Sequence, residues 1–254
     1  MNPYLCKKKM ELREYTPGAH LSSFIEAYWE AFASPGQCRM DKIVPDGCVD
    51  VIFNAAGDFY IDSLGLTLKS EGIYLGGAIT QFMEARMPEH TRLIGARFKP
   101  AAFSCFYSFA SLHEVTNTFV ELPSAFLPAV KPLLHQPAVA FDRFFAGRYA
   151  APGHRLLPVV NDILQSRGKV SVQDLTKTHF ITERQLERYF RYHTGLGPKT
   201  FISIIRYKSA SRLILEEHPA RSLSDIALES GYYDQAHLSR EIKKYGGLAP
   251  TALR

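Results

Sequence analysis

The stretch Ser222-Leu223-Ser224-Asp225-Ile226-Ala227, Ser230-Gly231-Tyr232, Asp234-Gln235-Ala236-His237-Leu238-Ser239-Arg240 decides how this chain folds. Ser222 reads as a helix N-cap before a short apolar-faced helix, Gly231-Tyr232 as the turn, and Asp234 as the cap of a second helix. Helix, tight turn, helix is the grammar of a motif whose second helix enters the DNA major groove. A degenerate copy lies upstream, in Ser171-Val172-Gln173-Asp174-Leu175, Thr182 and Gln185-Leu186-Glu187-Arg188. Ser171 and Ser222 are offset by 51 residues and Thr182 and Asp234 by 52, so the second copy has one extra turn residue. Between the copies, residues 198–217 predict one long helix, with Pro198 in its first turn and Phe201, Ile202, Ile205, Leu213 and Ile214 among its apolar positions. Two motifs joined rigidly in this way can meet the roughly 34 Å repeat of successive major grooves on one DNA face.

With Lys243-Lys244-Tyr245-Gly246 and Pro250 added, the second copy is close to a known signature over its full length. Residues 155–254 resemble the DNA-binding domain of the AraC/XylS family of bacterial transcriptional regulators. The first copy departs from that pattern: Thr176 stands where a helix-packing Ala is usual, and Phe180 where the turn usually has Gly. The resemblance implies base contacts from Gln235, His237, Ser239 and Arg240, and from Arg184, Glu187 and Arg188 at the matching positions of the first copy. The chemistry suits the task, because Gln and Arg bind adenine and guanine edges bidentately and Glu can accept from cytosine. Leu186, Phe190, Leu238 and Ile242 are expected to point inward. Lys199, Arg206, Lys208, Lys243 and Lys244 are candidate phosphate contacts, with Arg206 alternatively bracing the linker helix through a salt bridge. The partners so implied are double-stranded DNA, RNA polymerase and, for a homodimer, a second copy of the chain.

Residues 1–153 carry 14 Lys+Arg and 15 Asp+Glu, a net of −1, whereas residues 154–254 carry 16 and 10, a net of +6. The whole formal charge of +5 therefore sits in the repeat-bearing half, which agrees with a nucleic-acid partner and also with a merely solvated basic surface.

The front half reads differently. Residues 39–44, 49–54, 59–62, 73–76, 81–87 and 91–99 are short β-branched and aromatic runs, separated by turn chemistry such as Pro45-Asp46-Gly47 and Gly57-Asp58. They predict an antiparallel half-barrel or sandwich. Residues 20–32 suit an edge strand or a short amphipathic helix, and helices are expected over 101–109, 124–134 and 141–149. The fold class is thus α+β: a β-rich domain over residues 1–122, a helical connector over 123–153 with Ala150-Ala151-Pro152-Gly153 as its linker, and an all-α domain with two helix-turn-helix motifs over 154–254. Val44-Pro45-Asp46-Gly47-Cys48-Val49-Asp50-Val51-Ile52-Phe53 and Gly95-Ala96-Arg97-Phe98-Lys99-Pro100 resemble the N-terminal domain of one poorly characterised branch of the same family, over roughly residues 12–122.

Three readings of that domain stay open. As a sensor it would hold a small-molecule effector among Asp46, Asp50, Arg97, Trp29 and Tyr60. As a ligand-free module it would serve oligomerisation or protein contact through the helices of 124–149. As an enzyme it would need a catalytic constellation, and the sequence offers none. Cys48, between Asp46 and Asp50, suits either a Cys–carboxylate site or an ordinary buried cysteine. The nine His form no HxH or HExxH pattern, so neither a metal nor another cofactor is expected. Gly195-Leu196-Gly197-Pro198-Lys199-Thr200 lacks the GxxxxGK[ST] spacing of a phosphate loop.

Composition narrows the rest. At 254 residues, with 46% hydrophobic and 22% charged, the chain is neither disordered nor a rod. No run approaches the roughly 20 apolar residues of a membrane helix, and none follows Lys7-Lys8-Lys9 to suggest a secretory signal. Four Cys without CxxC spacing suggest a reducing compartment, and a cytoplasmic location is expected.

Overall fold

A computed structural model describes residues 11–33, 38–216 and 221–253. Its front half holds strands β1 (Glu11–Tyr15), β2 (Ile25–Phe32), β3 (Arg39–Ile43), β4 (Val49–Ala56), β5 (Phe59–Ile61), β6 (Leu66–Leu68), β7 (Ile73–Gly76), β8 (Met83–Met87), β9 (Arg92–Phe98) and β10 (Phe119–Glu121). One sheet has the order β1-β2-β9-β4-β7-β10 and the other β3-β8-β5-β6, with every pairing antiparallel. The period-2 alternation of a strand decides what each face does. On β2, Trp29 joins Ile52, Phe59, Met83 and Leu93 in one apolar cluster, while Tyr28 joins the other. Gly95 permits this, since a Cβ there would lie 2.4 Å from the Trp29 indole.

Helices α1 (Val130–His135) and α2 (Pro137–Ala146) follow the strands. Tyr28 stacks on Phe141 of α2 at 4.9 Å between ring centroids and donates a hydrogen bond to Asp142 Oδ1 at 2.9 Å. Beyond them come α3 (Leu156–Gln165), α4 (Val172–His179), α5 (Glu183–Thr194), α6 (Pro198–Glu216), α7 (Leu223–Glu229), α8 (Gln235–Gly246) and α9 (Pro250–Leu253). The long helix expected to reach Glu217 is described only to Glu216. A single apolar cluster runs from Leu21 and Phe98 of the front half through Phe141 to Leu186, Leu238 and Tyr245, so the halves share a continuous core.

Several expectations need correction. Residues 20–32 form neither an edge strand nor a helix: β2 is flanked by β1 and β9, and the edge belongs to the polar strand β1, which hydrophobic patterning did not reveal. Residues 101–109 contain only a 3-10 turn at Phe103–Cys105, and Ala101 before it is left-handed, with φ of 65°, which no right-handed helix accommodates. The helix over 124–134 is interrupted after a 3-10 turn at Ser124–Phe126, where Leu127 is extended because Pro128 follows it. The last expected helix of the front half starts earlier and ends earlier, at Pro137–Ala146.

Candidate nucleic-acid interface and effector cavity

Both helix-turn-helix motifs are built by side-chain caps. Ser171 accepts from the Asp174 N–H and Thr182 from the Gln185 N–H, each within a complete capping box, while Ser222 accepts from Asp225 N–H and Asp234 from His237 N–H. These bonds satisfy backbone donors that a helix start otherwise leaves bare. The two candidate recognition helices, α5 and α8, end at Gly195 and Gly247, both left-handed with φ of 81° and 69°. Leu186, Phe190, Leu238 and Ile242 are fully buried, which fixes the rotation of each helix and turns its opposite face outward.

Arg184, Arg188 and Arg240 are exposed on that outward side, Gln235 is exposed at the first residue of α8, and Glu187, His237 and Ser239 are half-buried. Glu187 Oε1 accepts from Arg191 Nε at 2.8 Å. Gln235 Oε1 accepts from Ser224 Oγ at 3.1 Å, and the His237 ring meets Tyr232 edge-on at 5.2 Å. Lys199, Lys243 and Lys244 are exposed. Arg206 is half-buried: its Nε donates to Gly168 O at 3.0 Å and its guanidinium covers the Tyr232 ring. Among the described residues it braces the linker helix α6 through a carbonyl and an aromatic face, and no salt bridge joins it. Lys208 is half-buried, and its charge is near enough to the Cys48 thiol of the front domain to favour the thiolate against burial.

A second site lies between the sheets. Trp29, Asp46, Asp50 and Arg97 line one cavity of about 120 Å³, together with Lys42, Cys48 and apolar walls that include Ile52, Phe59, Leu93 and Phe119. Asp50 and Arg97 face each other across the β4–β9 ladder, and Arg97 Nε lies 3.2 Å from Asp50 Oδ1 and 3.7 Å from Asp46 Oδ2. Trp29 Nε1 donates to Asp50 Oδ1 at 2.7 Å. Burial works against the Arg97 charge, but Asp50 and then Asp46 outweigh it and hold the guanidinium protonated. Tyr60 does not join them. It sits on the other face of β5 under the Arg86 guanidinium, and its neighbour Phe59 lines the cavity, as strand alternation requires. Cys48 is buried and burial pushes its thiol well up, the state of a structural cysteine rather than a thiolate. Among the described residues no group of three metal-ligating side chains occurs, and no helix is long and apolar enough to cross a membrane.

Sequence patterning did not single out a third group, where the front domain meets α5. His154 and His193 stack with ring centroids 3.8 Å apart, and burial, then His154, pushes His193 down to about 4. The distance between them in sequence hid this pair.

Comparison with known proteins bears on both halves. Residues 175–254 match the family described as a helix-turn-helix domain, and residues 13–121 match a domain of unknown function (DUF6597). The chain is 29% identical over 107 residues to an uncharacterized HTH-type transcriptional regulator of Haemophilus influenzae, covering 42% of this chain and 35% of that protein. It is also 29% identical over 85 residues to the lactose operon transcription activator of Staphylococcus xylosus, covering 34% and 30%. The C-terminal half is an AraC-type helix-turn-helix domain. The matched stretches span about a third of these relatives' length. A ToxT structure from Vibrio cholerae O395, bound to (E)-4-(8-methylnaphthalen-1-yl)but-3-enoic acid, aligns over 96% of this chain and 98% of that one, with a TM-score of 0.50 at 10% identity. That likeness is one of fold: a β-rich front domain carrying the AraC-type domain behind it.

Proposed function

We propose that this chain is a sequence-specific transcriptional regulator that reads two adjacent major-groove segments, one with α5 and one with α8. The observation that carries the reading is the pair of capped recognition helices that precede and follow α6 in the chain, each presenting exposed Arg or Gln side chains. Arg184, Glu187 and Arg188 read one segment, and Gln235, His237, Ser239 and Arg240 the other. Lys199, Lys243 and Lys244 contact phosphates. Such a regulator works in the cytoplasm with DNA and RNA polymerase, as a monomer or a homodimer, and has no need of catalysis. Selection of sites from random duplexes by the full chain tests the reading. The expected product is two short conserved blocks about one helical turn apart. Recovery of no consensus, or of a single block, would overturn it.

In the same reading the front cavity binds a small effector. Its walls are apolar, and its polar groups converge on Arg97, Asp50 and Asp46, a pattern suited to a compact apolar molecule with one polar end. The ToxT structure that shares the fold holds a molecule of that description, an aromatic butenoic acid. A thermal-shift screen separates this from a ligand-free contact module. A compound that raises the melting temperature of the chain, but not of an Arg97→Met variant, supports sensing. No stabilising compound together with a concentration-dependent dimer supports the module.

A further inference from the structure

The front domain touches both recognition helices, and at the same place. On α5, the carbonyl of the C-cap Gly195 accepts from Thr116 Oγ1 at 2.7 Å and lies 3.0 Å from His113 Nδ1. On α8, the carbonyl of the C-cap Gly247 accepts from Lys42 Nζ at 3.1 Å. The two glycines are offset by 52 residues, like the N-caps Thr182 and Asp234, so they are equivalent positions of the repeat. Helix C-termini expose bare carbonyls and carry negative partial charge, which makes them natural seats for donors and cations.

The first hold reaches the DNA-facing side chains. A carbonyl can only accept, so His113 Nδ1 carries the proton, and Nε2 is left to accept from Arg191 NH1 at 3.1 Å. Arg191 in turn holds Glu187, a candidate base reader. Gly195 O, His113, Arg191 and Glu187 therefore form one chain of hydrogen bonds from the front domain to the reading face.

Both holds also lead back to the effector cavity. Lys42 lines it directly. Gly77 lines it too, and a Cβ on Gly77 would lie 1.7 Å from Val115 O, so the cavity wall abuts the turn that carries His113 and Thr116.

We propose that Lys42, His113 and Thr116 are positioning residues of DNA recognition, through which the front domain sets the two recognition helices relative to each other and so selects the spacing of the two DNA segments. Buried Leu186, Phe190, Leu238 and Ile242 seat each recognition helix within its motif, whereas these holds tie the C-terminal end of each to the front domain. This inference rests on the DNA-binding reading above. An occupant of the cavity acts on the spacing through Lys42 and through the Gly77–Val115 contact.

The test is site selection by the full chain from duplexes carrying both blocks with the intervening length varied. The wild type is expected to choose a narrow range of lengths. Lys42→Met and Thr116→Val should each broaden it, off-length sites gaining about tenfold relative to the preferred one, the worth of one such hydrogen bond. Lys42→Arg and Thr116→Ser keep the donors and should retain the narrow range. A general structural weakening would lower affinity for all lengths together without broadening the choice, and that result would overturn the proposal. So would Met and Val variants that choose as the wild type does, or Arg and Ser variants that broaden equally. A wild-type chain that selects no DNA at any length would instead remove the DNA-binding reading, and the inference with it.

Discussion

The two helix-turn-helix motifs of this chain solve one geometric problem with different residues. In the second, the left-handed turn position is Gly231, with φ of 78°, where the absence of a Cβ makes the conformation cheap. In the first, the matching position is Phe180, held at φ of 51° with its ring 94% exposed. A non-glycine residue in that region costs about 1–2 kcal/mol, and the exposed ring recovers nothing by burial. What compensates is local: complete capping boxes at Ser171 and Thr182, and the bond from His179 Nε2 to Asp162 Oδ2 at 2.8 Å, which ties the end of α4 to α3. The first motif is held in shape by its capping boxes and a bond to α3, whereas the second has a turn residue suited to the conformation itself.

That difference predicts unequal roles on DNA. Arg240 stands exposed on α8 with no partner for its guanidinium among the described residues, whereas on α5 Arg188 lies over the Tyr189 ring and Glu187 is engaged by Arg191. Arg240→Ala should weaken operator binding by about 1–3 kcal/mol and relax the choice at one base pair. Arg188→Ala should weaken it less. Affinity measurements on single-base operator variants check this, and equal losses would show that both motifs read with the same force.

Exchanging the turn residues tests the comparison directly. Phe180→Gly should stabilise the chain by about 1 kcal/mol in equilibrium unfolding, because the left-handed backbone no longer meets a Cβ. Gly231→Phe should destabilise it by about 1–2 kcal/mol, since the same strain appears and a Cβ there meets Lys169 Cγ at 3.1 Å. Loss of stability in the first exchange would mean that the Phe180 ring supports the fold after all.

Acid should expose a further asymmetry. Only the first motif ends on a half-buried stacked imidazole, His193, which partial burial and the adjacent His154 keep neutral down to about 4. The unfolded chain takes up this proton near 6.5, the ordinary value, while the folded chain resists it until about 4. The unfolded state therefore binds more protons across that window, and stability falls as pH drops through it. Melting curves between pH 7 and pH 4 should show the fall, and His193→Phe, which keeps a stacking ring without a titrating one, should flatten it. An unchanged slope in that variant would assign the acid sensitivity elsewhere.

The sequence made the second motif legible because every local rule agreed there: cap, glycine turn, inward Leu238 and Ile242, exposed Gln235 and Arg240. The sheet of the front domain was legible for the same reason, as its strands alternate and end on turn residues. What escaped was whatever depends on long-range partners. Strand β1 is too polar to read as a strand until β2 pairs with it. Asp46, Asp50 and Arg97 could be singled out from sequence, but Tyr60 could not be told from Phe59 until the pleat was known. The grip of Lys42, His113 and Thr116 on two glycine carbonyls has no signature at all, because it joins residues between 79 and 205 positions apart.

The smallest expected effect concerns phosphates rather than bases. Lys243 is exposed in the last turn of α8, where its ammonium complements the helix C-terminus and no carboxylate pairs with it among the described residues. A phosphate contact of this kind releases one condensed counterion. Lys243→Ala should then weaken binding to every sequence alike and reduce the slope of log affinity against log salt by about 1. Base preference should stay as it was. The same substitution at Lys199, at the start of α6 after the first motif, should reduce the slope equally if both motifs lie on DNA together. A slope that falls for Lys243 and not for Lys199 would mean that the second motif binds alone, which carries the difference between the two motifs from their turns to their function.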